Sequence, residues 1–196
     1  MLELRHIYKS FGEKIVFTNL NLDFPEGKFT AVMGPSGCGK TTLINLILGI
    51  LTPEHGEIVG FGGRKVAAVF QEDRLLEHKS GLENVLFVLR DEAKGRDVAE
   101  KLLERAELAQ DAHKKAKEYS GGMRRRLALC RALVTDFDLL ILDEPFKGMD
   151  AALKPRIMEM VKEKCAGKTV LLITHDRDEA DFFDGDVVDI SNLPMR

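Results

Sequence analysis

A run of nine residues contains the pattern G-x-x-x-x-G-K-[ST] in its first eight positions, and the chemistry of that pattern is phosphate binding. They are Gly34, Pro35, Ser36, Gly37, Cys38, Gly39, Lys40, Thr41 and Thr42. Glycines allow backbone N–H groups to approach phosphate oxygens closely, and a lysine ammonium can reach the β and γ oxygens. The Thr41 hydroxyl is placed to contact Mg²⁺. A simple glycine turn with a solvated lysine is the weaker interpretation, because every fixed position of the pattern is met.

The segments on both sides of this loop have the character that a phosphate site requires. Phe29 to Met33 is an apolar run that predicts a short buried strand. From Lys40 onward, apolar residues at Leu43, Ile44 and Ile47 follow a helical spacing. A helix that begins at the loop directs free N–H groups and the positive end of its dipole at bound phosphates.

A second glycine-rich helix start is predicted further along the chain. Ser120, Gly121 and Gly122 precede a helical pattern that runs to Leu133. This start also suits an anion, although it has no lysine corresponding to Lys40. A plain serine cap is the alternative interpretation. Two phosphate-binding helix ends on one chain mean that one molecule binds two nucleotides or that two molecules share them.

Two adjacent carboxylates follow a strongly apolar run. Leu139 to Leu142 predict a buried parallel strand, which delivers Asp143 and Glu144 to the edge of the sheet where ligands bind. Side chains alternate along an extended chain, so we expect Asp143 to face the Mg²⁺ shell and Glu144 to face an attacking water.

Three further residues are candidates whose sequence context leaves alternatives open. Gln71 and His175 each follow an apolar strand pattern, where they could reach a metal or a phosphate. From the local sequence alone, a loop residue without a role is the better interpretation of Gln71, and a loop residue or a helix cap is the better interpretation of His175. Phe11 lies in a turn 23 residues before Gly34 and could stack on a purine ring. Its alternative is a hairpin aromatic that covers the core.

Composition limits the possible classes of protein. The 196 residues are 44% hydrophobic and 31% charged, which is ordinary for one soluble domain. The net charge of -3 gives no broad basic field, so we expect no nucleic-acid partner. Three scattered cysteines favour a reducing compartment. The opening residues lack a signal core, and the longest apolar stretch is roughly half of a membrane span. Any membrane role is therefore expected to act through a partner.

The sequence of the middle of the chain predicts a small helical insertion, which interrupts the alternation of strands and helices on either side of it. Ser80 and Glu83 predict a capping box for a helix to about Arg90. A second helix is expected over about 97–108, with Val98 on its apolar face. We expect residues 1–71 and 137–196 to form a catalytic core and about 72–136 to form a helical subdomain. Apolar surface near Leu75 to Phe87 is a candidate contact for a partner, although packing inside the protein is the more common role for any single apolar residue there.

Taken together, these motifs resemble the ATP-hydrolysing subunit of ABC transporters over nearly the whole chain. GPSGCGKTT, Gln71, YSGGM, LLILDEP, KGMD and His175 stand in that family's order. The resemblance implies an α/β fold of the P-loop NTPase type: a mostly parallel core sheet, an N-terminal antiparallel β part and a small helical subdomain. It also implies a head-to-tail dimer, in which each ATP lies between the phosphate loop of one copy and the SGG segment of the other.

The same resemblance implies a role for each candidate residue. Phe11 would stack on adenine, Thr41 and Gln71 would reach Mg²⁺, and Asp143 would order the metal shell. Lys40 would neutralise phosphate charge, Glu144 would polarise the water, and His175 would contact the γ-phosphate. The implied partners are a second copy of the chain, membrane permease subunits and a solute-binding protein. The implied location is the cytoplasmic face of the membrane.

Some residues depart from the family pattern. Lys147 and Met149 replace a serine and a leucine in the segment after the carboxylates, although Asp150 is retained. Met123 replaces a glutamine, a variation similar to that in importers of nitrate, sulfonates and taurine.

The main alternatives to a transporter subunit are a soluble relative from DNA repair or translation and a regulator that does not hydrolyse nucleotide. The fifty or so residues between Gln71 and Ser120 lack the heptads of a repair-type coiled coil, and both Glu144 and His175 favour hydrolysis.

Overall fold

The computed structural model describes residues 1–60 and 62–192, which form two compact units. Met1–Lys65 and Gly167–Arg196 make the first unit, and Val66–Ala166 make the second. The strands are β1 (Leu2–Phe11), β2 (Lys14–Phe24), β3 (Phe29–Met33), β4 (His55–Val59), β5 (Val66–Val69), β6 (Leu139–Asp143), β7 (Thr169–Ile173) and β8 (Asp186–Asp189). The helices are α1 (Lys40–Ile47), α2 (Gly81–Leu86), α3 (Glu92–Arg105), α4 (Gly121–Leu133), α5 (Lys154–Lys164) and α6 (Arg177–Phe182).

The first unit contains an antiparallel sheet in the order β2-β1-β4. The strand pair β1–β2 agrees with the antiparallel β part that the resemblance implied for the N-terminal region. Apolar and polar residues alternate at the end of β2, and Leu20 and Phe24 are buried there. Strand β4 was not expected, because the segment 52–63 is rich in glycine and other turn-forming residues. It pairs with β1, with Leu4 opposite Ile58, and its exposed sequence HGEIV has no apolar alternation that would have revealed it.

Strand β3 carries the glycine loop and lies between two parallel neighbours in the same unit. Ala31 is in register with Leu172 of β7 on one side and with Val187 of β8 on the other. All five residues of β7 are buried, as are the three central residues of β3. Pairing on both sides fixes the direction in which β3 delivers the chain to the glycine loop.

The second unit pairs β5 with β6 in parallel, with Ala68 opposite Ile141. Helix α4 contacts α2, α3, α5 and strand β5. Helix α2 ends at Leu86, before the predicted end at Arg90, and α3 begins at Glu92, before the predicted start at 97. Val98 is 38% exposed, so its predicted place on the buried face of α3 is wrong. The residues that pack there are Ala99, Leu102 and Leu103.

The expected partner surface is only partly exposed. Leu75 and Leu86 are buried, whereas Phe87 is 63% exposed and Val88 is 41% exposed. The prediction that Leu75 and Leu86 face a partner is therefore wrong, because both side chains are used in packing. None of the helices within residues 1–60 and 62–192 has the length and apolar character that crossing a bilayer requires.

Candidate functional site

The glycine loop spans the gap between the end of β3 at Met33 and the start of α1 at Lys40. Its three glycines all have positive φ: 154° at Gly34, 81° at Gly37 and 103° at Gly39. L-residues with a side chain rarely adopt these values, so the loop depends on glycine at each position. The predicted order of strand, glycine loop and helix is confirmed.

Two of these glycines also lie too close to neighbouring atoms for a side chain. A Cβ on Gly34 would lie 2.7 Å from Cys38 Sγ, and a Cβ on Gly39 would lie 2.7 Å from Val16 Cγ1. The loop is therefore packed against its own cysteine and against strand β2 without room for another methyl group. This packing holds the loop backbone in one shape, which a site made of backbone donors needs.

Lys40 and the start of α1 supply the positive charge of the loop. Lys40 Nζ donates hydrogen bonds to the carbonyl oxygens of Gly34 at 2.6 Å and Pro35 at 2.8 Å. Gly39 occupies the N-cap position, and no side chain caps the helix there. The first N–H groups of α1 are thus available to an anion, and the residues present fit a nucleotide's phosphates. Thr41, in the first turn, is exposed.

The other candidates of the first unit lie at exposed positions. Phe11 ends β1 with 48% of its surface exposed, so its interpretation as a cover for the core is wrong. Lys9 Nζ lies 5.2 Å from the centre of the Phe11 ring. His175 is exposed and follows β7, and it is Asp176, not His175, that caps α6. The cap interpretation of His175 is therefore also wrong.

In the second unit, Asp143 and Glu144 stand where strand β6 ends. Asp143 is the last residue of the strand and is 6% exposed. Glu144 has a φ of 48°, so the chain leaves the extended conformation at this residue. The expectation that simple strand alternation separates the two carboxylates is wrong, since Glu144 lies in a left-handed turn. Glu144 Oε2 forms an ion pair with Lys147 Nζ at 2.6 Å.

The SGG segment begins α4 as predicted. Ser120 is the N-cap, and its hydroxyl oxygen accepts a hydrogen bond from the Met123 N–H at 3.3 Å. The interpretation of Ser120 as a helix cap is thus confirmed. Ser120 and Gly121 are exposed, so the helix start is open to a ligand from outside the chain. That ligand role stays a prediction.

Gln71 follows β5, and its side chain is exposed. Its carbonyl oxygen accepts a hydrogen bond from Arg125 Nη2 on α4. The sequence had indicated the position of Gln71 at a strand end but had not indicated this anchor, because nothing in the local pattern links Gln71 to an arginine 54 residues later.

The oxygen groups expected to contact Mg²⁺ are of the kinds that this ion accepts: the Thr41 hydroxyl, the Gln71 amide and the Asp143 carboxylate. Throughout the described part of the chain, no group of three or more His, Cys, Asp or Glu side chains could hold a metal ion.

Three contacts near the candidate residues were missed at the sequence level, and the first two join Lys147 to Glu144 and Arg125 to Gln71. Lys147 had been noted only as a departure from a family pattern, and its spacing of three residues from Glu144 was the available signal. A third is the buried Glu179, whose Oε2 accepts a hydrogen bond from the Thr174 hydroxyl at 2.6 Å, next to His175.

The chain has close relatives in sequence. The family described as ABC transporter matches residues 17–147, more than half of the chain. Taurine import ATP-binding protein TauB of Escherichia coli (strain K12) is 36% identical over 208 residues, which cover 100% of this chain and 82% of TauB. Spermidine/putrescine import ATP-binding protein PotA of Legionella pneumophila (strain Paris) is 36% identical over 195 residues, covering 92% of this chain and 54% of PotA.

Solved structures of ABC cassettes share the fold. The dimeric structure of the bacterial ABC transporter cassette MJ0796 has a TM-score of 0.85 and 30% identity, covering 97% of this chain and 95% of that one. A post-hydrolysis state of the same cassette bound to ADP and Pi has a TM-score of 0.82 and 30% identity, covering 96% and 94%. The predicted P-loop ABC ATPase fold is confirmed, and the chain belongs to the ABC transporter family, among its ATP-binding subunits.

Proposed function

We propose that this chain hydrolyses ATP to power a membrane importer of the ABC type. The glycine loop is the observation that carries the proposal: three positive-φ glycines, Lys40 and an uncapped helix start form a cradle of donors for phosphates. The import role is supported by the relatives, since TauB and PotA are both named import ATP-binding proteins. Their different solutes support recognition of the solute by partner chains and not by this subunit.

The proposed mechanism is attack of water on the γ-phosphate. Lys40 neutralises charge on the β and γ oxygens, and Phe11 stacks on the adenine. Glu144 orients the attacking water and receives its proton, while His175 contacts the γ-phosphate. Mg²⁺, held by Thr41, Gln71 and Asp143, would supply further positive charge to the phosphates.

We further propose that two copies of the chain share the nucleotides. Ser120, Gly121 and Gly122 of one copy would contact the ATP held by the glycine loop of the other copy, and this arrangement would account for two phosphate-binding helix ends on one chain. The dimeric structure of MJ0796 supports the proposal. Binding of ATP would close the dimer, and hydrolysis would let it open again. The permease bound to the dimer would therefore be moved between two states.

The remaining proposals concern organisation and partners. Residues 1–71 and 137–196 are proposed as the catalytic core, and about 72–136 as a helical subdomain that contacts the permease. The subunit is proposed to lie at the cytoplasmic face of the cell membrane through that permease, with a solute-binding protein in the full system. The import names of the relatives support this assignment.

The proposal is tested by measuring phosphate release and ATP binding for Glu144→Gln. Loss of general-base help should lower kcat by roughly 10²–10⁴-fold, while the dissociation constant for ATP stays unchanged. Glu159→Gln is the matched control, because it makes the same substitution at an exposed position of α5. Full activity of Glu144→Gln would contradict the proposed mechanism.

A further inference from the structure

A buried arginine of helix α4 is bonded to the segment that contains Gln71. Arg125 is only 8% exposed, an unusual state for a guanidinium. Its Nη1 donates to the Phe70 carbonyl oxygen at 2.6 Å, and its Nη2 donates to the Gln71 carbonyl oxygen. Nη1 also lies 3.1 Å from Asp73 Oδ1. One side chain therefore contacts three of the four residues from 70 to 73.

The Asp73 carboxylate makes this arrangement dependent on the arginine charge. The Asp73 side chain is 16% exposed and its Oδ1 contacts the Arg125 guanidinium. Within the described residues, Asp73 Oδ1 is buried without a hydrogen-bond donor, so the contact with Arg125 is a charge interaction and not an aligned hydrogen bond. Removing the guanidinium would leave the buried Asp73 Oδ1 atom without the cation that it contacts.

Arg131 extends the same contact along α4. Its Nη2 donates to the Asp73 carbonyl oxygen and its Nη1 to the Arg74 carbonyl oxygen, both at 2.8 Å. The two arginines thus bond the carbonyls of Phe70, Gln71, Asp73 and Arg74. These residues lie between β5 and α2, where no strand or helix pairs their carbonyls. The two arginine side chains of α4 donate hydrogen bonds to these carbonyls instead. The backbone path of residues 70–74 therefore depends on the contact with α4.

We propose that Arg125 is a positioning residue for Gln71. It fixes the Gln71 backbone to the helix that begins after Ser120, while the Gln71 side chain stays exposed. A ligand that moves the start of α4 would consequently also move Gln71. The inference deepens the proposed function and rests on it, because it requires that Gln71 takes part in hydrolysis.

The first test measures ATPase kinetics of Arg125→Gln. A misplaced Gln71 should lower kcat roughly tenfold, because small displacements of a reacting group are costly. The KM for ATP should stay within about twofold, since the glycine loop is untouched. Arg124→Gln is the matched control: it removes the same charge from the same helix, but its guanidinium contacts the Ala116 carbonyl and Glu77. A kcat for Arg125→Gln equal to that of the control would overturn the inference.

The second test separates positioning from a general effect on folding. Gln71→Ala and the double variant Gln71→Ala/Arg125→Gln are compared with the single arginine variant. If Arg125 acts through Gln71, the double variant should have the kcat of Gln71→Ala alone. Losses that multiply would overturn the inference and leave the proposed function standing. Unchanged kcat in Gln71→Ala would instead contradict the proposed role of Gln71, and the inference with it.

Arg125→Lys covers the case in which Arg125→Gln does not fold. Lysine keeps a positive charge beside Asp73 but lacks the rigid fork that donates in two fixed directions. Its kcat should fall between the values of the wild type and Gln71→Ala, again with unchanged KM. Wild-type kcat in a folded Arg125→Lys protein would overturn the requirement for the two-directional contact.

Discussion

Lys147 Nζ lies 2.6 Å from Glu144 Oε2, so the carboxylate proposed to hold the attacking water is ion-paired to a lysine three residues later. The lysine side chain is 53% exposed, whereas the glutamate is 14% exposed. An exposed partner can be withdrawn at low cost, because such pairs contribute only about 0.2–1 kcal/mol. The pair is therefore able to hold Glu144 in one position and to open when the water must be contacted.

Replacing this lysine should accelerate hydrolysis. Lys147→Ser removes the ion pair that must open, and the free-energy range above corresponds to a rise in kcat of up to about fivefold. Lys147→Arg keeps a cation at the position and should stay close to the wild type. Phosphate release at saturating ATP is the measurement. A lower kcat for Lys147→Ser would show that the lysine assists Glu144 instead of restraining it.

Adding a methyl group to the glycine loop should damage both folding and ATP binding. Gly39→Ala places a Cβ 2.7 Å from Val16 Cγ1 at a φ of 103°. Gly49→Ala is the control, because its φ of 68° is also positive but its Cβ would meet no atom within 4 Å. Backbone strain alone should cost the control about 1–2 kcal/mol in the free energy of unfolding. Gly39→Ala should lose more and should also bind ATP more weakly in calorimetry; equal effects of the two substitutions would contradict the packing argument.

The capping box of α2 should make stability depend on pH in acid. Hydrogen bonding from the Ser80 backbone N–H, with help from Lys79, lowers the pKa of Glu83 from 4.5 to about 2. A carboxylate with a lowered pKa in the folded state stabilises the protein above its unfolded pKa, and this stabilisation is lost as the pH falls from 4.5 toward 2. Glu83→Gln should therefore be less stable than the wild type in urea at pH 7, with a difference that shrinks below pH 4.5. A difference that is the same at all pH values would contradict this account.

Two neighbouring apolar residues at the end of α2 should respond differently to a charge. Leu86→Asp places a carboxylate at a position that is only 3% exposed and should cost about 3 kcal/mol or more in the free energy of unfolding. Phe87→Asp changes a residue that is 63% exposed, so folding and basal ATPase activity should be retained. If this surface contacts the permease, Phe87→Asp should reduce co-purification with it. Normal co-purification would place the contact elsewhere.

The features that could be predicted from the sequence are those that depend on nearby residues. The glycine loop of Gly34 to Lys40 and the caps at Ser80 and Ser120 each involve a few consecutive residues with fixed chemistry, and the structure confirms them. The buried strands β6 and β7 were predicted because continuous apolar runs leave few alternatives.

The features that could not be predicted depend on contacts far along the chain. Strand β4 exists through its pairing with β1, and its residues carry no pattern of their own. The burial of Leu75 and Leu86 and the exposure of Val98 are decided by which helix faces meet, and several faces were compatible with the sequence. The contact of Arg125 with the Gln71 carbonyl joins residues 54 positions apart. Such contacts are properties of tertiary packing and not of local propensity.

We propose that two copies of the chain share each ATP. The most direct test is to measure the molar mass of the Glu144→Gln protein in solution with and without ATP. This variant binds ATP but turns over slowly, so light scattering should give twice the monomer mass with ATP and the monomer mass without it. Adding Ser120→Arg should return the ATP-bound sample to a monomer, because a bulky cation replaces the cap that the partner's nucleotide would contact. A monomer with ATP in Glu144→Gln, or full ATPase activity in Ser120→Arg alone, would contradict the account.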